Sequence, residues 1–457
     1  MASESRFQGL QDIYGPTASR AKPLGRVVVT VPEEGHRETC AYLESDLQEV
    51  LRRSGFLPVD DVHGDALAEI VISGGTPRTE APRVYVAYHG TKFMVSDNDA
   101  NLVTMAEKPN LVLSLLVASV ATSQVFREAK KDQFDLRSVA SVTGDLSDST
   151  SADGQGQSMR LLAPTEPVLW LGCGSVAHAA AYALRSSNLS GVVNHLVDNG
   201  VSQEKNIHKY MGLGESALGT PKWTEIAKTL NGRGANVRGF SASGNEYARA
   251  MGMRIPLVLV TPDRAIARRD IQAKLPRVCI NAWSGTQDSP FLLSGGISRH
   301  GMGEGEPCLV CMYWDDSGGQ PEVDDAARKV GINPHVIATS WRENQPIPAN
   351  APHWIPGEVP RNLDFYRTMC DTLRVNRGSF REEYSVPFVA GVVGALLAHQ
   401  YLREVGRSTT GIVAPRTGLQ FTMSVRSTVF ERVPLAPRDG CICRDPDYRQ
   451  VHSKKWT

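Results

Sequence analysis

Apolar residues fall along this chain in short runs of strand length and in longer runs that read as buried helices. The clearest series begins at Val168-Leu-Trp-Leu171; a glycine-containing turn follows, and Ser175 to Leu184 is an alanine-rich stretch of high helix propensity. Val192 to Val197 reads as the next strand, Pro221 to Leu230 as a helix, Ala235 to Phe240 as a strand, Gly244 to Ala250 as a short helix, and Pro256 to Val260 as a buried strand. Strands and helices alternating at this period predict an α/β, Rossmann-like fold: a mostly parallel sheet covered by helices on both faces.

A weaker echo of the pattern lies nearer the N-terminus. Strand-like Glu69 to Ile72 and the hairpin-like Arg83 to Val95 precede an apolar helix from Pro109 that ends in Arg127-Glu128. Val278 to Trp283 and Pro290 to Ile297 likewise precede an apolar helix from Pro387 that ends in Arg403-Glu404. Either two buried helices look alike by chance, or the first half is a degenerate copy of the second. Its first strand, Arg26 to Val31, runs into Pro32-Glu-Glu-Gly35 instead of a Gly-rich turn, so this half is expected to be inactive toward nucleotide. The stretch 141–165 is rich in Ser, Asp and Gly and predicts a linker. The expected organisation is an N-terminal half (1–140), this linker, and a nucleotide domain (166–457) with an insertion at about 315–385.

The two most apolar stretches, Leu111 to Val125 and Phe388 to Leu402, carry polar interruptions and fall short of the ~20 residues of a membrane span. They are expected to be core helices, with no membrane partner. The 457 residues balance 49 Lys+Arg against 49 Asp+Glu, which argues against nucleic-acid binding by overall charge. MASESRFQGLQD at the N-terminus has no secretory pattern, so a cytoplasmic location is expected. In that compartment the eight cysteines read as metal-binding or catalytic chemistry before disulfides.

Gly172-Cys-Gly174-Ser-Val-Ala177 stands between a strand and a helix, where glycines let the backbone approach a phosphate and aim the helix N-terminus at it. Asp198, 24 positions after Gly174, ends the next strand, about where a carboxylate meets a ribose hydroxyl. A nicotinamide enzyme would account for both. The run from Asp198 through Asn206 and Lys209 to Lys222 adds an amide and ammonium groups that suit a triphosphate better, although a solvated charged loop would look similar. Asp263 follows the strand ending at Val260, at the ligand-binding edge of such sheets, and can ligate Mg²⁺ or cap a helix. Cys308-Leu-Val-Cys311 and Cys441-Ile-Cys443 supply four thiolates, a set suited to structural Zn²⁺ that would staple the C-terminal tail across about 130 positions.

In this order, the turn, Asp198, Asn206 to Lys209, Lys222, Asp263 and the split cysteine pairs resemble the superfamily of ThiF, MoeB and the ubiquitin-activating enzymes. The resemblance covers roughly residues 165–445. It implies ATP-dependent adenylation of the C-terminal glycine of a ubiquitin-like protein, with Asp198 as ribose ligand, Asn206, Lys209 and Lys222 near phosphate, and Asp263 on Mg²⁺. In ubiquitin-activating relatives a cysteine between the zinc pairs takes the acyl group and passes it to a conjugating enzyme. Cys370 is the one cysteine in that interval.

Arg367 and Arg374 would lie one helical turn from Cys370 and lower its pKa, whereas Tyr366, Met369 and Leu373 would bury it as an inert hydrophobe. Three positions depart from the family's pattern: Gly200 where a second acid is usual, Lys209 for arginine, and Tyr210 for glutamine. The family's arginine from a partner half is not identified. A homodimer and an internal pseudo-dimer fit the motifs equally. An adenylating enzyme for a sulfur carrier or other carboxylate, or a silent nucleotide-binding scaffold, remain rivals.

Overall fold

The chain is described from a computed structural model. The structure describes residues 24–33, 35–59, 65–99, 104–106, 108–130, 142–146, 166–252, 254–263, 265–286, 293–313, 387–407, 413, 416–423 and 428–456. The chain divides into two compact units, Met1–Met312 with Tyr384–Thr457, and Tyr313–Glu383; the elements below belong to the first.

The first sheet contains β1 (Arg26–Thr30), β2 (Leu57–Val59), β3 (Ala68–Ile72), β4 (Arg83–His89), β5 (Lys92–Ser96) and β6 (Val142–Asp145), in the order β2-β1-β3-β4-β5-β6. Its first four strands are parallel, and β5 and β6 continue antiparallel. β6 lies inside the stretch whose composition predicts a linker. Val142 is buried and pairs with Val95, so this edge strand needs only one apolar anchor and its polar composition hides it.

The second sheet is built from β7 (Val168–Leu171), β8 (Val193–Val197), β9 (Asn236–Phe240), β10 (Leu257–Val260), β11 (Val278–Thr286), β12 (Leu293–His300), β13 (Thr417–Met423) and β14 (Thr428–Pro434). Its order is β14-β13-β12-β11-β10-β7-β8-β9, with β9 to β11 parallel and β12 to β14 antiparallel. Without β9 and β14, its six remaining strands have the same order and sense as the first sheet.

Helices occupy matching places. α1 (Arg37–Arg53) follows β1 and α2 (Leu111–Lys130) follows β5; α3 (Ser175–Ala183) follows β7 and α8 (Pro387–Glu404) follows β12. The shorter α4 (Trp223–Asn231), α5 (Gly244–Ala250), α6 (Ala265–Gln272) and α7 (Leu309–Met312) lie along the second half, and α9 (Pro446–Trp456) ends it. α1 buries Cys40, Leu43, Leu47, Val50 and Leu51, spaced at helical period, and carries Glu38 in its first turn and Arg52 and Arg53 in its last.

α1, α2, α3 and α8 pack together in one continuous core. α2 is long and apolar enough, by length and composition, to cross a membrane, but 83% of that stretch is buried. The ring of Phe126 in α2 lies 5.5 Å from Phe388 in α8. Tyr401 of α8 packs 5.5 Å from Trp170 of β7, and both side chains donate to the carboxamide oxygen of Asn194. Asp46 of α1 pairs with Arg185, just past α3. These contacts hold the two halves in fixed register and leave the carboxyl edge of the second sheet to position a site.

Candidate nucleotide cleft and four-cysteine centre

At the end of β7, Gly172 has φ +85°, a conformation that side chains rarely adopt. The turn also presses on its neighbour: a Cβ at Gly172 would lie 3.0 Å from the Pro262 nitrogen, and the Thr261 hydroxyl donates to the Gly172 carbonyl at 2.7 Å. Gly174 is the N-cap of α3 and contributes no side-chain bond. A Cβ there would meet nothing within 4 Å, so the space beside the start of α3, where a helix N-terminus attracts anions, is open.

Asp198 is bound to this turn. Its carboxylate accepts the Cys173 N–H at 2.7 Å on one oxygen and the Gly200 N–H at 2.7 Å on the other. Lys222 lies directly over Gly200: a Cβ at that position would fall 2.9 Å from Lys222 Cε and 3.0 Å from Asp198 Oδ1. Gly200, the departure from the family's second acid, therefore makes room for the lysine. Burial pulls the Lys222 ammonium down, but Tyr210, Asp198 and Asp263 outweigh it and leave its pKa raised. Sequence reasoning missed Tyr210 as a member of this group. Its ring stacks on His178 with centroids 4.6 Å apart, and Lys222 Nζ lies 6.0 Å from its centroid. His178 Nε2 faces the Lys222 carbonyl at 3.1 Å. Burial pushes His178 down to about 3, which keeps the imidazole neutral.

Thr261 bonds the backbone of Leu171 and Gly172, bringing the segment with Asp263 to the same turn. Asp263 is exposed and acts on Lys222 by charge. Asn206 is placed differently: its carboxamide oxygen accepts the Gln203 N–H at 2.9 Å and caps a single helical turn. Lys209 is half-buried in the next turn, its N–H bonded to the Asn206 carbonyl at 2.9 Å. Gly172, Gly174, Asp198, Lys222 and Asp263 thus meet at one turn, with Asn206 and Lys209 on the adjoining loop.

The four sulfurs of Cys308, Cys311, Cys441 and Cys443 lie within 4.8 Å of one another, all buried. Cys308 and Cys441 are 3.4 Å apart and Cys311 and Cys443 3.3 Å. A tetrahedral Zn²⁺ with bonds of about 2.3 Å has sulfur–sulfur edges of about 3.8 Å, so this donor set fits the ion after a small expansion. The Arg438 N–H points at Cys311 Sγ at 3.3 Å, an outer contact that supports a thiolate. Cys370 lies outside the described residues. Burial, then Asp198, pushes the Cys173 thiol up, and burial raises Cys40 and Cys279, so none of these three is an activated nucleophile.

No family model matches the chain. The uncharacterized protein y4jF of Sinorhizobium fredii is 26% identical over 312 residues, or 63% of this chain, and the match spans only 58% of that relative's length. Among solved structures, E. coli MccB, crystallised with ATP, aligns with a TM-score of 0.39 and 14% identity over 78% of this chain and 96% of its own. The Microcin C7 biosynthetic enzyme MccB in complex with N-formylated MccA gives 0.40 and 14%, with the same coverage. PaaA gives 0.34 and 12%, over 60% of this chain and 74% of its own.

Proposed function

We propose that this protein binds ATP at the carboxyl edge of β7 and β10 and transfers its adenylyl group to a carboxylate. The observation that carries the reading is the meeting of the N-terminus of α3, whose N-cap is a glycine, with Asp198, Lys222 and Asp263 at one glycine turn. Asp198 is the ribose ligand, and the amides of α3 with Lys222 and Lys209 face phosphate. Asn206 shapes that loop and presents its amide toward the same ligand. Mg²⁺ held by Asp263 would offset charge on the polyphosphate. The substrate carboxylate attacks the α-phosphorus, the bond to the bridging oxygen breaks, and pyrophosphate leaves with the electron pair. Such a step asks for position and charge rather than a protein nucleophile.

We assign the carboxylate to the C-terminal glycine of a ubiquitin-like protein, on the sequence resemblance. Cys370 then displaces AMP to form a thioester, which a conjugating enzyme accepts. The N-terminal half takes no nucleotide in this reading. β1 runs into Pro32, and Arg78 crosses the end of the strand, donating to the Thr30 hydroxyl at 3.0 Å and to the Val29 carbonyl at 2.9 Å. The matched strand orders within one chain favour an internal pseudo-dimer over a homodimer.

Incubation with ATP and a glycine-ending ubiquitin-like protein tests the reading by mass spectrometry. The expected products are AMP and a thiol-sensitive adduct, with Cys370→Ala losing the adduct and keeping the adenylate. An adduct retained in Cys370→Ala overturns the thioester step, and no partner-dependent product overturns the reading.

A further inference from the structure

The loop carrying Asn206, Lys209 and Tyr210 has a small core of its own, made by Ile207, Tyr210, Leu213 and Ala217 and separate from the main core. Its tie to the rest of the protein includes an ion pair on the other half. Arg53, in the last turn of α1, donates to the Ile207 carbonyl and, at 3.1 Å, to the Leu213 carbonyl. The same guanidinium is held at 2.8 Å by Glu49, one turn earlier, and Glu49 also accepts the Gly212 N–H at 3.2 Å. One i,i+4 pair thus takes up three backbone groups that flank Tyr210. Arg53 is 8% exposed, so its charge is largely shielded from water and its bonds are correspondingly strong.

Tyr210 transmits that position. Its ring stacks on His178, His178 Nε2 faces the Lys222 carbonyl at 3.1 Å, and the Lys222 ammonium lies 6.0 Å from the centre of the Tyr210 ring. Burial, Lys209 and then Arg53 hold His208 down to about 3, so the cation is felt within the loop. Arg53 itself spends its donors on carbonyls and on Glu49, which leaves it poorly placed to bind a phosphate.

We propose that Arg53 is a positioning residue. Anchored by Glu49, it fixes the loop that sets Lys209, Tyr210 and Lys222 around the polyphosphate, so the N-terminal half takes part by holding the site of the other half. This rests on the ATP reading above.

The test compares ATP and AMP affinities of the full chain, wild type against Arg53→Met and Arg53→Lys, with amide hydrogen exchange of residues 204–219. Loss of two charge-assisted bonds should weaken ATP roughly tenfold or more in Arg53→Met and leave AMP within about threefold, with Arg53→Lys recovering part because an ammonium lacks the planar fork. Exchange should quicken at the Lys209, Tyr210 and Leu213 amides and stay unchanged in β7 and β10. Equal weakening of ATP and AMP, exchange quickened through the whole core, or an unchanged ATP affinity in Arg53→Met overturns the positioning role. A wild-type chain that binds no ATP overturns the underlying nucleotide reading and this role with it.

Discussion

The packing of α8 against its neighbours provides two substitutions of identical chemistry and opposite outcome. Gly391 and Gly394 lie one turn apart, both buried. Replacing either with Ala removes the helix penalty of glycine, about 1 kcal/mol. The space around them differs. A Cβ at Gly391 would lie 2.2 Å from Ser119 Oγ, a hydroxyl that has no bonding partner among the described residues and can rotate away, and the next atom is 3.2 Å distant. A Cβ at Gly394 would lie 2.4 Å from Ala179 Cβ, 2.7 Å from the Ala180 nitrogen and 2.8 Å from the Ala179 carbonyl carbon. Ordinary carbon contacts are about 3.5–4.0 Å, so α3 and α8 would have to separate by about an ångström, and no side-chain rotation relieves backbone atoms. Overpacking of that kind costs about 1–3 kcal/mol. Gly391→Ala should therefore match or exceed the wild type, and Gly394→Ala should fall below Gly391→Ala by about 1–3 kcal/mol, the helix term cancelling between them. Urea denaturation followed by circular dichroism measures the difference. Equal stability of the two variants would refute the close approach of α3 and α8.

Asp198→Asn keeps one acceptor but turns an amide group toward the second backbone N–H, so unfolding should become easier by about 1–3 kcal/mol while ATP binding is lost. Unchanged urea stability would show that the carboxylate does not hold the turn. Burial raises the Asp46 carboxyl to about 6 against the attraction of Arg185. The folded state then holds this proton more tightly than the unfolded state, so its contribution to stability falls as pH rises from about 4 to 6 and is flat above. Relative to Asp46→Asn, the wild type should lose on the order of 2–3 kcal/mol across that window, since the buried neutral His178 and His208 tilt both curves alike. A pH-independent difference between the two proteins contradicts this. Elemental analysis should find one Zn²⁺ per chain, and chelation should speed tryptic cleavage after Arg444 and Arg449, whose side chains are already exposed but whose backbone lies beside the centre; an unchanged digest without metal removes the staple.

Much of this architecture is legible in local pattern. The β7–turn–α3 unit, the position of Asp198 and the two cysteine pairs follow from residues close in sequence or from a distinctive residue type. Tyr210 escaped because its role depends on stacking against His178, which no spacing rule reveals. Arg53 is 154 positions from Ile207, and a lone arginine ending an amphipathic helix looks like any dipole-complementing residue. β6 was hidden because an edge strand needs few apolar residues. Gly200 reads as a missing acid in sequence and as space for Lys222 in the fold.

The adenylation claim is tested most directly by ATP–pyrophosphate exchange with a glycine-ending ubiquitin-like protein. Label should enter ATP only when protein and carboxylate partner are both present, persist in Cys370→Ala, and fall by at least about a hundredfold in Asp263→Ala and in Lys222→Ala. Exchange that survives both site substitutions, or its absence with every carboxylate partner despite tight ATP binding, would contradict the account.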